Sequence, residues 1–415
     1  MFHRRICTFL TVLVAGMLCG ELSFAQQPDP AAPPVRPAPA VGPVAPAVPP
    51  VPGDNNANVL PAPAPPRPSR LLLASRTPRR RRLASTPAVF GDTWLPPVVG
   101  VATGVDFVTA NLLLAGGSGR LKVADQNKAI PVDRAFLHYN HFHGGADVRR
   151  SQGVGLPPTL VETIHVDRFI VGFERTFMCG DASIELRMPF TTNADYTSAD
   201  FSLDSGDIGN LSIILKKIWF ERETSIVSYG MGIVTPTGSD VRGTLPMVAP
   251  MALDFTIDNR AVDLVPYVGI VGAPTDRFFY HGFMQLDIPL GGNRITVTDG
   301  VDTATDDMTE QVVFSFDVAA GYWFYRDSPC RIFPSLAGMI ELHVNSSLND
   351  ADIKLVALPV FGMRATTIEN ANMTLGLHAE LPNELILRFG AAFPLTELDQ
   401  RFFHSELIMS LQRQF

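Results

Sequence analysis

His138, His141 and His143, set beside Asn140, come nearest to a ligand set by residue type and spacing. Imidazoles hold a metal ion only when they converge on one point. On a strand successive side chains face apart, so His138 would point inward while His141 and His143 point the other way. That disfavours a three-histidine site, and no metal is expected there. A second set is Asp195, Asp200, Asp204, Asp207, Asp299, Asp302, Asp306 and Asp307. Carboxylates of this kind hold calcium or cations that bridge lipopolysaccharide, but a solvated acidic face is the plainer reading. Catalytic signatures are missing: there is no Walker-type or dinucleotide-binding glycine loop, no His-Glu-x-x-His, no Cys-x-x-Cys and no Gly-x-Ser-x-Gly. Neither an enzyme nor a cofactor is expected. A formal net charge of −8 disfavours nucleic acid as a partner.

The elements that would position such residues begin with segments that do not fold. Residues 1–25 carry a basic start (His3, Arg4, Arg5), an apolar run from Phe9 to Leu18 and a small-x-small end, Ser23-Phe24-Ala25, which reads as a signal peptide. Cys19 does not make a lipobox, because Leu18 stands where a small residue is needed. No later apolar run approaches the ~20 residues of a membrane helix. Residues 26–89 form a Pro/Ala-rich, then basic, linker expected to be disordered. The prolines hold the backbone near polyproline II, as a tether across the periplasm or an inert spacer. The basic run Arg79-Arg80-Arg81-Arg82 reads as a contact for anionic polymer or lipid headgroups, a processing site or a solvated spacer. Residues 90–130, apolar and glycine-interrupted, are expected to precede the folded domain or to plug its interior.

From Pro131 the chain breaks into short alternating runs bounded by Gly, Pro, Asn and Asp. Twelve strands are expected: Asp133–His143, Thr163–Phe177, Ala182–Phe190, Gly209–Phe220, Ser225–Thr235, Val262–Gly272, Arg277–Leu290, Glu310–Tyr325, Arg331–Val344, Asn372–Glu380, Glu384–Pro394 and Arg401–Phe415. Their connections alternate. Met178–Asp181, Glu221–Thr224, the turn at Pro274, Asp327–Cys330 and Leu381–Asn383 are short. Gly144–Glu162, Thr191–Ile208, Pro236–Ala261, Gly291–Thr309 and Asn345–Ala371 are long. Sorting by parity is what a barrel with one rim of turns and one rim of loops requires. A strand-like run at Lys354–Arg364 would make the count odd if it joined the ring.

Within each strand apolar and polar residues alternate. Ile184, Leu186, Met188 and Phe190 would meet lipid while Glu185 and Arg187 face a wet lumen. The same rule gives the lumen-lining candidates: Arg168, Glu174, Glu185, Arg187, Asp287, Asp317, Glu341, His343, His378, Glu380 and Arg388. Mixed signs allow them to pair with one another or to set the field along a pore. Lys216 and Lys217 fall on opposite faces, so one must lie near a strand end. The last strand puts Leu407, Met409, Leu411 and the terminal Phe415 on its apolar face, the expected barrel-assembly signal. Cys179 and Cys330 fall in turns six strands apart. No bridge between them is expected, since a disulfide needs Cα atoms within about 7 Å.

Two stretches resemble known families. Asp133-Arg134-Ala135-Phe136-Leu137-His138-Tyr139-Asn140-His141-Phe142 resembles the first strand of outer-membrane β-barrel proteins of planctomycete type. Gly206-Asp207-Ile208-Gly209-Asn210 and Val234-Thr235-Pro236-Thr237-Gly238 are similar to landmark turns of the transporter-like barrels of the MetA pathway of phenol degradation. The resemblance spans residues 131–415. It implies an outer-membrane barrel passing small hydrophobic or aromatic compounds.

The expectation is therefore an all-β chain: a closed antiparallel up-and-down transmembrane β-barrel of about 12 strands over residues 131–415, with a disordered Pro-rich N-terminal arm. Its location would be the outer membrane of a diderm bacterium, with the arm in the periplasm. Its partners would be outer-membrane lipid, the barrel-assembly machinery, a small-molecule solute and, through the arm, peptidoglycan. The function would be that of a porin-like channel or transporter. The alternatives are a structural, anchoring barrel with a tether and a barrel-embedded hydrolase.

Overall fold

The computed structural model describes residues 78–92, 98–103, 106–111, 120–152, 159–192, 195–197, 202–204, 206–246, 252–298, 300–328, 333–349, 353–355, 360–363, 369–397 and 401–415. The expected signal peptide and proline tract lie outside them, as does Cys330; Cys179 is free and exposed.

Period-2 runs of branched and aromatic residues become strands because a pleated backbone sends alternate side chains to opposite faces. Twelve of them close into a ring: β1 (Arg134–Gln152), β2 (Thr159–Phe177), β3 (Ala182–Thr192), β4 (Ser212–Glu221), β5 (Ser225–Val234), β6 (Val262–Gly272), β7 (Phe278–Leu290), β8 (Val313–Tyr325), β9 (Ser335–Ser347), β10 (Glu369–Glu380), β11 (Leu385–Pro394) and β12 (Ser405–Gln414). Each pairs antiparallel with the next. Closure is made by β12 on β1, from Ser405 opposite His143 to Gln414 opposite Arg134. The barrel is thus closed and twelve-stranded, and its ladder has no free edge.

The alternation separates two environments. Leu137, Phe169, Val171, Phe173, Ile184, Leu186, Leu375, Leu377, Phe389, Phe393, Leu407, Met409 and Leu411 are exposed on the outside, while their strand neighbours are less exposed and mostly buried. Ile408 and Arg413, which break the alternation by residue type, still follow it in space: Ile408 is fully buried and Arg413 exposed. Lys216 turns inward and is buried. Lys217 is exposed, close to the short turn where the Ile218 amide donates to the Asp181 carbonyl.

Several expectations need correction. The long connections are not irregular loops. Val241–Pro246, Ala252–Asp258, Asn293–Thr298, Thr303–Met308, Ser202–Asp204 and Tyr196–Thr197 form a second, six-stranded sheet. One of its faces buries Leu203, Val241, Phe255, Ile257, Ile295 and Val297. Short Thr/Val-rich runs between Gly and Asp carry this pattern, but they are too brief to separate from turn residues by composition. The first hairpin is longer than expected, because β1 runs to Gln152 and β2 starts at Thr159. Val98–Thr103, Asp106–Asn111, Ile353–Leu355 and Val360–Met363 also form strands, added edge to edge beyond β1. The 354–364 run therefore pairs without entering the ring, and the count stays even.

The expected disordered linker ends earlier than residue 89. Pro78–Ala84 is a helix, and Leu83, Ala84, Thr86, Ala88, Val89 and Phe90 are buried. A second stretch, residues 122–133, is buried without exception. The two are joined where the Val89 amide donates to the Asn127 carbonyl at 2.9 Å. Both touch inward-facing residues from strands all round the ring. The barrel core is therefore built by strand side chains packed against chain that precedes the first strand.

Candidate functional site

The lumen wall and this inner segment form one polar network. Glu341 on β9 accepts from the Phe90 amide at 2.8 Å and the Gly91 amide at 3.0 Å. Thr374 on β10 donates to the Gly91 carbonyl at 3.1 Å, and Asn372 donates to Asp92 at 2.6 Å. Arg388 on β11 donates to the carbonyls of Ala88 and Val89 and, at 2.6 Å, to Gln126 Oε1. Its guanidinium stacks 3.9 Å from the centroid of the Phe90 ring, a planar cation on an aromatic face.

Phe90 has a seat made for it. Gly376 and Gly390 are cross-strand partners. A Cβ at Gly376 would collide with the ring, and one at Gly390 would stand 2.9 Å from it. Two glycines side by side leave a notch in the wall, and the aromatic ring fills it.

Three strands along the ring from β10, Gln285 on β7 reads the inner backbone as a strand would. Its Oε1 accepts from the Val123 amide at 2.7 Å and its Nε2 donates to the Leu121 carbonyl at 2.9 Å. Lys122 pairs with Asp92 and, at 2.7 Å, with Asp317 on β8; Asp317 also holds His343 Nδ1 at 2.7 Å. Asp92, Asp317 and His343 converge as metal ligands would. The Lys122 ammonium already occupies that centre, so it needs no ion. On the far wall Arg134 bridges Glu174 at 2.8 Å and Glu185 at 2.9 Å, Lys216 joins Glu174 at 3.0 Å and Asn127 at 2.7 Å, and Arg187 binds Glu185 at 2.6 Å and the Lys122 carbonyl at 3.1 Å. Arg120 ties Asp287 and Glu310 at 3.5 and 3.0 Å.

Of the residues read as lumen-facing, Arg168, Glu174, Glu185, Arg187, Asp287, Asp317, Glu341, His343, His378 and Arg388 are buried; Glu380 keeps 27 % of its side-chain surface. Glu341, Arg187, Asp287, Asp317 and Arg388 meet the inner segment directly. His378 instead lies edge-on to Trp323, ring centroids 5.5 Å apart. Arg134, Asn140, Asn372 and the glycine pair were missed, whereas parity already puts Gln285 on the inward face of its strand. Inward parity could have found the first three as well. The glycine notch leaves no sequence signal apart from the ring that fills it.

A cavity of about 30 Å³, room for one water molecule, lies beside Arg120, Lys122, Asp125, Arg168, Arg187 and Ser212. Two groups of the inner segment are held away from their ordinary charge states. Burial pushes the Asp125 carboxyl up to about 7, against the pull of Arg168 and Lys122. Burial, reinforced by Arg134 and Arg388, brings the Lys128 ammonium down to about 7, and Lys128 donates to the Ala84 carbonyl at 2.8 Å.

Two arginines of the basic run, Arg80 and Arg82, pair with acids of the same chain. Arg80 donates to Asp181 at 2.6 Å and Glu221 at 2.7 Å, and Arg82 lies 3.4 Å from Asp276. All three acids sit in the short turns, so these arginines fasten the helix to the short-turn rim. Among the described residues the outer aspartates do not converge on a common point; Asp307 instead pairs with Arg294 at 3.3 Å.

No protein-family model and no curated protein matches the chain. Among solved structures it is similar to an outer membrane channel from Pseudomonas putida F1, at 10% identity over 69% of this chain and 96% of that one, with a TM-score of 0.41. It is also similar to the translocator domain of the autotransporter NalP from Neisseria meningitidis, at 8% identity over 68% of this chain and 87% of that one, TM-score 0.41. A third is the CymD monoaromatic hydrocarbon channel, at 10% identity over 77% of this chain and 87% of that one, TM-score 0.38. Likenesses of this degree leave the function to the chain's own geometry.

Proposed function

We propose that the chain is an outer-membrane β-barrel channel for small solutes whose conduit is held shut by its own inner segment, residues 83–92 and 120–133. The observation that carries this is the pairing of a lipid-compatible apolar exterior with a charged interior. A soluble barrel would have the reverse arrangement. The parity of short and long connections supports the same orientation, with the N-terminal arm in the periplasm. On this reading residues 1–25 direct export, the last strand with Leu407, Met409, Leu411 and Phe415 addresses the assembly machinery, and the buried wall charges line the path. The resemblance to barrels of phenol degradation supports a hydrophobic or aromatic solute.

The inner segment acts as a plug. Its polar contacts are side-chain ion pairs and hydrogen bonds to the wall, which can be exchanged for water when the segment moves, while Phe90, Val123 and Ile130 pack in an apolar cluster with strand residues. A second reading is favoured by how completely the lumen is filled: a permanently closed barrel that anchors the proline tract. Planar-bilayer recording of the full chain separates the two. The wild type is expected to show rare or no openings, and Glu341→Ala combined with Arg388→Ala is expected to give stepwise conductance. A double variant that inserts, migrates as a folded barrel and stays silent would support the anchor.

A further inference from the structure

The outer wall carries a histidine cluster that the channel reading does not use. His141 and His143 alternate on the outward face of β1, and the neighbouring strand β2 presents His165 and Asp167 on that same face. His141 stands opposite Asp167 in the ladder, and the pairing then shifts between Phe142 and Ala146. Gly144 and Gly145 make that irregularity. Gly144 has a left-handed φ of +64°, and a Cβ on Gly145 would stand 2.8 Å from Phe142 Cβ. A bulge of this kind re-aims side chains. Here it stacks His143 on His165 with ring centroids 4.4 Å apart, with His141 6.0 Å from His165. His404, which leads into β12, brings a fourth ring 5.9 Å from His143, and its amide donates to the His143 carbonyl at 2.8 Å.

One ring nitrogen from each of His141, His143 and His165 lies within 4.8 Å of the other two. Ligands on a tetrahedral ion with bonds of about 2.0–2.1 Å are themselves about 3.4 Å apart, a gap that small side-chain rotations close on an exposed surface. The second shell is already in place. Asp167 Oδ1 takes the Nδ1 proton of His141 at 2.7 Å and a proton from the Tyr139 hydroxyl at 2.7 Å. That contact fixes the imidazole tautomer and leaves Nε2 with its lone pair outward, as carboxylates do behind metal-bound histidines. His165 offers a lone pair at Nδ1, towards which the Gly144 amide points at 3.2 Å; binding exchanges that contact for the ion.

We infer that His141, His143 and His165, with Asp167 behind His141 and His404 alongside, form an outward-facing site for one first-row divalent ion of the imidazole-preferring kind: zinc, nickel or copper(II). Because the ligands come from β1 and β2, and His404 from the approach to β12, the ion fastens the seam where the ring closes. The inference stands independently of whether the lumen conducts.

The test is isothermal titration of zinc chloride alone into untagged, full-length protein folded in detergent micelles and stripped with EDTA. One ion per chain is expected, with binding lost in His143→Ala/His165→Ala and about 10–100-fold weaker in Asp167→Asn. Zinc should also raise the temperature at which the folded band converts to the slow-migrating form, and only in proteins that keep the three histidines. Heat-modifiable migration of the double variant shows that it has folded. Failure of the wild type to bind at millimolar zinc, or equal binding by the folded double variant, overturns the site.

Discussion

Phe90 rests on two glycines, and that is where a single side chain decides most. Gly376→Ala places a methyl inside the ring's own volume, and overpacking of this kind costs about 1–3 kcal/mol. The expected outcome is a barrel that still folds but whose segment 83–92 exchanges amide hydrogen faster; unchanged protection there would show that the notch does not hold the segment. Asp125 and Lys128 set a pH dependence. A carboxyl raised to about 7 gives stability that is complete below about pH 4 and is lost as pH rises through 7. An ammonium lowered to about 7 gives stability that is complete above about pH 10.4 and is lost as pH falls through 7. Together these two groups make the seated segment weakest near neutrality. Asp125→Asn should abolish the acid limb, so the difference in thermal midpoint between variant and wild type should grow from pH 5 to pH 8. A constant difference would place the titration elsewhere.

At the scale of the strand, the alternation of faces is a claim about solvent. Leu375 lies in the middle of β10 with its side chain 44% exposed on the outside. In a bilayer, Leu375→Arg is expected to destabilise the barrel by about 2–4 kcal/mol, read from urea titration in liposomes. On a water-facing sheet a surface change of this kind would cost within about 0.5 kcal/mol, so the size of the effect distinguishes the two settings. The Ala182 strand was legible because Glu185 and Arg187 alternate with Ile184 and Leu186. The hairpins of the second sheet were not. Thr303–Met308 reads Thr-Ala-Thr-Asp-Asp-Met, and its only deeply buried side chain is Met308. Such a run gains its strand from the neighbour it pairs with, here Asn293–Thr298, and not from its own residues.

For the whole molecule, the inner segment lies against the lumen wall from several strands. Segment and wall are held by buried ion pairs, such as Lys122 with Asp317 and Arg120 with Asp287. Removing one partner of such a pair leaves an uncompensated buried charge, at a cost of about 3–5 kcal/mol. The conductance of Glu341→Ala/Arg388→Ala is therefore the measurement that matters most for function. The arginines of the basic run add a second fastening at the turn rim, through Arg80 to Asp181 and Glu221. Glu221→Gln with Asp181→Asn should free the helix and speed tryptic cleavage at Arg80 without altering the folded-barrel band. Resistance equal to wild type would show that the rim contact is incidental.

The amino-acid sequence by itself determined the ring: the number of strands, their parity, the face each residue takes and the charged character of the inward face. All of these follow from the two-residue repeat of an extended backbone, which is local and needs no knowledge of distant partners. What fills that interior was decided only in three dimensions. Phe90 finds Glu341, Arg388 and the Gly376–Gly390 notch, residues hundreds of positions away whose spacing in the chain carries no trace of the meeting. The same holds for His165 beside His143, which a glycine bulge and a neighbouring strand bring together. Contacts across a closed sheet are fixed by register and curvature, and those exist only once the last strand has paired with the first.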